Sequence, residues 1–183
     1  MMRIACLGWG SLIWDQGELP IVLGVESWHG DGPSLPIEFA RQSSRDRLTL
    51  VTLPEGTLVP TLWAEMYADD IDDARRRLKL REGTVIERIG VWPYNGKYLH
   101  SKIIGRWATA KGISAVIWTA LGPKFDGEDN KIATLAEAIA YLRSLVDRGM
   151  SASAEEYVRK APAQISTPFR SAFETEFGWT PIP

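Results

Sequence analysis

The chain has 183 residues, 45% of them hydrophobic and 24% charged, with a net charge of −2. That balance describes a globular chain with enough apolar material for a substantial core, and it gives no electrostatic case for nucleic acid or an anionic membrane surface. No apolar run approaches a membrane span, the start of the chain enters a strand pattern without a signal peptide, and the single cysteine, Cys6, rules out an intrachain disulfide and fits the cytoplasm.

The first element sets the pattern. Arg3-Ile-Ala-Cys-Leu-Gly-Trp-Gly-Ser-Leu-Ile-Trp14 reads as a buried strand over residues 4–7 that enters a tight loop at Gly8 and Gly10. Such a loop exposes successive N–H groups that can cradle an anion or a developing oxyanion; a Gly-rich turn that binds nothing is the plainer alternative. A dinucleotide fingerprint fails because Ile13 stands where its third glycine would be. Cys6 reads as a small buried hydrophobe, and of the eight tryptophans Trp9 and Trp14 are placed to line a pocket beside the loop.

Residues 17–36 are rich in glycine and proline and read as an irregular arm with at most one short strand at 20–25. Strands are expected at 36–43, 48–53 and 58–67, joined by short polar links as an antiparallel meander, with Ile37, Phe39 and Arg41 alternating against Glu38, Ala40 and Gln42. Over 69–80 the period changes. Ile71, Ala74 and Leu78 mark one helical face, with acids at the start and arginines at the end as the helix dipole favours. Glu82 continues that apolar stripe and Gly83 ends it. An inward carboxylate needs a partner or a task. A nearby arginine satisfies Glu82 on one reading, and catalysis uses it on the other.

Residues 85–92 end as a strand, Asn95-Gly96 signals a hairpin, and 98–108 would return. Residues 114–121 read as a central strand and 122–131 as a polar loop. The last third is helical. Capping boxes at Thr134/Glu137 and Ser153/Glu156, and Thr167-Pro168, open helices; Gly149, Pro162 and Gly178 close them. His29 and His100 have no metal-ligand spacing, and no Gly-x-Ser-x-Gly elbow is present, so neither a metal site nor a Ser-His-Asp enzyme is expected.

Gly8-Trp-Gly-Ser-Leu12 resembles the Tyr-Gly-Ser-Leu loop of the γ-glutamylcyclotransferase-like superfamily, which includes ChaC-type and AIG2-like proteins. Trp9 takes the place of the tyrosine. Residues 36–67 resemble the strands that follow, and Leu80-Arg-Glu-Gly83 resembles the family's Arg-Glu-Gly stretch, whose glutamate is the acid/base. The resemblance spans roughly residues 3–120. It implies an α+β fold, a mixed, curved, barrel-like sheet with helices packed outside, in a single domain over 1–183 with a core at 1–121 and a helical part at 122–183. It also implies a cofactor-independent reaction on a small γ-glutamyl substrate. Glu82 is the expected general acid/base. Gly8, Trp9, Gly10, Ser11 and Leu12 would hold the substrate, and Arg41 or Arg45 would pair with its carboxylate. A non-catalytic binder of a small molecule or peptide on the same fold, and an interaction protein using the C-terminal helices, are the alternatives; the oligomeric state is left open.

Overall fold

A computed structural model describes residues 2–22, 27–94 and 96–182. The protein is α+β, with two mixed sheets and five α-helices among the described residues. It forms two compact units, each built from two stretches of chain: Met1–Leu35 with Pro60–Leu121, and Pro36–Val59 with Gly122–Pro183.

The first unit holds a sheet ordered β5-β1-β7-β6, from β1 (Ile4–Gly8), β5 (Leu62–Met66), β6 (Ile89–Trp92) and β7 (Ala115–Thr119). β1 pairs antiparallel with β5 and parallel with β7, and β6 runs antiparallel to β7. Residues 4–7 and 115–118 are fully apolar and buried on both faces, which marks β1 and β7 as the interior strands. Helix α1 (Ile71–Glu82) covers one face: Ile71, Ala74 and Leu78 join Ile4, Cys6, Ala64, Met66, Ile89, Val91 and Ile117 in one core. Asp70 caps its start by accepting from the Asp73 N–H, and Gly83 ends it at φ 59°.

Helix α2 (Ser101–Ala110) covers the other face, toward which Gly90 and Trp92 alternate. A Cβ at Gly105 would lie 2.4 Å from the Trp92 Nε1, so only glycine lets this helix lie on the indole. The expected returning strand at 98–108 is therefore corrected to a helix, and of the Asn-Gly signal Asn95 lies outside the described residues. Ser101, Ile104, Gly105 and Ala108 are buried at i, i+3, i+4 and i+7, one helical face that the alternation of a strand would split between two.

The second unit holds β2 (Ser34–Ser43), β3 (Arg47–Thr52), β8 (Lys124–Phe125) and β9 (Glu128–Asp129) in the order β3-β2-β8-β9, with β4 (Leu58–Pro60) also on β2. Neither sheet closes into a barrel, and the outer edge of β5 takes bridges from Ile21 to Met66 and from His29 to Trp63. β2 and β3 form the expected antiparallel pair, with an irregularity between Phe39 and Arg41. The meander stops there. The chain breaks at Thr61, whose hydroxyl donates to the Pro33 carbonyl, and β5 joins β1 instead. Nor does β2 alternate: Glu38 and Ala40 are buried along with Ile37 and Phe39.

Helices α3 (Leu135–Asp147), α4 (Ala152–Lys160) and α5 (Pro168–Phe177) complete this unit. The Thr134/Glu137 capping box and the Thr167 cap before Pro168 form as expected. The Ser153/Glu156 box does not: Ser151 stands at the cap of α4, without a side-chain hydrogen bond. Phe39 meets Tyr157 and Phe173 edge-on, with centroids 6.2 and 5.6 Å away. No helix among the described residues is long and apolar enough to cross a membrane.

Candidate functional site

β1 delivers the chain into a single turn. The Gly10 carbonyl accepts from the Ile13 N–H at 3.0 Å and the Ser11 carbonyl from the Asp15 N–H at 2.8 Å. A Cβ at Gly8 would lie 2.7 Å from the Ile13 Cδ1 and 2.9 Å from the Trp28 ring, so any larger residue would displace both side chains. Leu12 anchors the turn in the same core that receives α1. Gly8, Trp9, Gly10 and Leu12 are buried and Ser11 is half-buried.

The N–H groups of Gly10, Ser11 and Leu12 donate to no acceptor among the described residues. Successive main-chain N–H groups in such a turn can receive an acceptor from outside the chain.

Glu82 comes to this turn from the other direction. It follows Leu78 by one helical turn on the buried face of α1, at the last helical residue. Its side chain is 16% exposed and its Oε1 lies 2.8 Å from the Arg81 Nη1. Arg81, 13% exposed, also donates from Nε to the Asp15 carbonyl at 3.0 Å, and its Nη2 lies 3.4 Å from the Ser11 Oγ and bonds the same Asp15 carbonyl. One guanidinium thus stands between the Glu82 carboxylate and the Ser11 hydroxyl. The Glu82 charge is also felt at Cys6. Burial first, and the Glu82 carboxylate second, push that thiol far above its ordinary value, and Arg81 opposes them. Cys6 is consequently inert as a nucleophile.

The structure therefore brings together Gly8, Trp9, Gly10, Ser11, Leu12 and Glu82 within the first unit. Arg41 belongs to the second, where its guanidinium donates to the Gly122 carbonyl at 2.9 Å. Sequence reasoning placed Arg81 among the basic residues closing the helix and gave it no part in the site. The available signal was its position between the inward Leu78 and Glu82 and directly before the terminating Gly83. No group of three or more His, Cys, Asp or Glu side chains that could hold a metal ion occurs among the described residues.

No family model, curated protein or solved structure matches the chain.

Proposed function

We propose that the protein is a cytoplasmic γ-glutamylcyclotransferase-like enzyme that releases 5-oxoproline from a small γ-glutamyl amine or peptide. The observation that supports this most is the meeting of Glu82 with the glycine turn through Arg81, at 2.8 Å on one side and 3.4 Å on the other.

The reaction is an intramolecular acyl transfer. The substrate's α-amine nitrogen bonds to its own γ-carbonyl carbon, and the bond from that carbon to the departing nitrogen breaks. The substrate ammonium loses two protons on its way to the lactam N–H, and the leaving nitrogen gains two as it departs as an ammonium; Glu82 would relay them one after the other, so protons balance without a cofactor. The unengaged N–H groups at 10–12 would hold the γ-carbonyl oxygen as it becomes an oxyanion. Holding the glutamyl chain folded brings amine and carbonyl to reacting distance. The barrel-like family fold expected from the resemblance belongs to the same proposal.

The ion pair between Arg81 and Glu82 favours a second reading, a non-catalytic binder in which Arg81 and the turn hold an acidic or amide group. One experiment separates them. Purified full-length protein is incubated with a panel of γ-glutamyl amines and dipeptides, and 5-oxoproline is measured. Catalysis predicts release by the wild type and its loss in Glu82→Gln at unchanged thermal stability; undiminished release in that variant removes Glu82 from the chemistry. An inert panel that nonetheless raises the melting temperature supports the binder.

A further inference from the structure

The face of the first unit's sheet that α2 covers carries a second feature. Trp92, at the end of β6, and Lys102, Gly105, Arg106 and Thr109 of α2 line an open groove of about 510 Å³, within the range of small-ligand sites. Lys102, Arg106 and Thr109 follow at helical spacing and stand exposed. Trp92 is half-buried, its ring fixed against the Gly105 backbone because that residue has no Cβ.

The electrostatics are one-sided. α2 contains no Asp or Glu, and no acidic residue lines the groove. Several basic side chains elsewhere have carboxylate partners: Arg3 has Glu65, Arg77 has Asp73, Lys111 has Asp31, Arg159 has Glu155. Among the described residues Lys102 and Arg106 have none; the only hydrogen bond of the pair runs from the Arg106 Nε to the Lys102 carbonyl at 3.4 Å. The two cations stand one helical turn apart beside the Trp92 indole, in a groove with no acidic residue in its lining.

We propose that this groove binds a small phosphate ester carrying a planar ring, of the kind a mononucleotide presents. Lys102 and Arg106 are spaced to share the phosphate oxygens, with Arg supplying a planar fork and Lys a point charge. Trp92 offers the apolar surface on which the ring stacks. The Thr109 hydroxyl, which donates to the Gly105 carbonyl at 2.9 Å, keeps its oxygen available as an acceptor. The site is independent of Glu82 and of the proposed cyclotransferase reaction.

The test uses ADP, adenosine and inorganic phosphate as probes on full-length protein, by calorimetric titration and by the Trp92 indole N–H resonance, assigned with Trp92→Phe. The expected result is saturable ADP binding that shifts the Trp92 signal, with adenosine and phosphate each at least tenfold weaker. The Lys102→Ala/Arg106→Ala double variant, altered only at exposed positions, should bind ADP at least tenfold more weakly. No saturable ADP binding, equal affinity in the double variant, or phosphate alone binding as tightly as ADP would each overturn the proposal.

Discussion

Arg81 and Ser11, seventy residues apart in the chain, meet where the Arg81 Nη2 lies 3.4 Å from the Ser11 Oγ. The same guanidinium bonds the Asp15 carbonyl and the Glu82 carboxylate, so the end of α1 and the turn after β1 are fastened by one side chain. Arg81→Ala leaves a half-buried carboxylate and a carbonyl without their donor, at a cost of about 1–3 kcal/mol. Arg81→Lys should recover only part of this, because an ammonium cannot span the three partners in one plane. Denaturation measures the loss. Amide exchange at Ile13 and Asp15, whose N–H groups close the turn, should speed up selectively.

Cys6 offers a reporter of the same region. With its thiol pushed far up by burial and by Glu82, it should resist alkylation in the native protein and react on unfolding. Rapid labelling of the folded wild type would contradict the buried placement of β1.

Arg170 is 2% exposed and gathers carbonyls at the end of α4 and just beyond it: Val158 at 3.2 Å, Ala161 at 2.6 Å, Pro162 at 2.6 Å and Ile165 at 3.1 Å. A cation suits the negative end of a helix. Burial, opposed by Glu174, holds the guanidinium below its ordinary value. Arg170→Met strands those acceptors and should cost about 3–5 kcal/mol, seen as a lower urea midpoint at unchanged slope. A midpoint equal to the wild type's would show that the carbonyls find other donors.

Glu38 gives a pH dependence of definite sign. It accepts from the Thr167 hydroxyl at 2.6 Å, the Phe39 N–H at 2.8 Å and the Phe169 N–H at 3.2 Å, at the start of α5. Burial nonetheless raises its carboxyl above the ordinary value of 4.5, more than those bonds lower it. The native state then binds the proton more tightly than the unfolded chain does. Its contribution is complete below pH 4.5 and is lost as pH rises through the elevated value. Measured against Glu38→Gln, which does not titrate, the wild type should lose relative stability as pH rises across that window. A constant difference would show that the hydrogen bonds offset burial in full.

Gly90 faces Trp118 so closely that a Cβ would lie 2.2 Å from the Trp118 Cε2, and that indole is 1% exposed with nowhere to move. Gly90→Ala should cost about 1–3 kcal/mol or more, read by thermal denaturation. A stability equal to the wild type's would mean that the sheet opens locally at no cost.

The parts of the fold legible in the sequence are those set by local rules. Ile71, Ala74 and Leu78 announce α1 by spacing, Gly83 ends it by its positive φ, and Thr134 and Thr167 open helices with their side chains. α2 escaped because its start carries no such sign: His100 stands at the cap with φ 65° and no side-chain bond, while Asn95-Gly96 pointed to a hairpin. Partner choice in the sheets was hidden for another reason. β5 leaves β3 for β1 through pairings of distant residues, Gly8 with Leu62 among them, which no window of sequence contains. In the site, the turn and Glu82 were visible as types and positions; Arg81 was not, because its role rests on three contacts made in space.

The parallel pairing of Ile4 with Ala115 also bears on how the protein is made. On the ribosome β1 must wait for a partner strand synthesised more than a hundred residues later. A nascent chain halted before Ala115 would present that strand with one edge bare, a natural hold point for a chaperone.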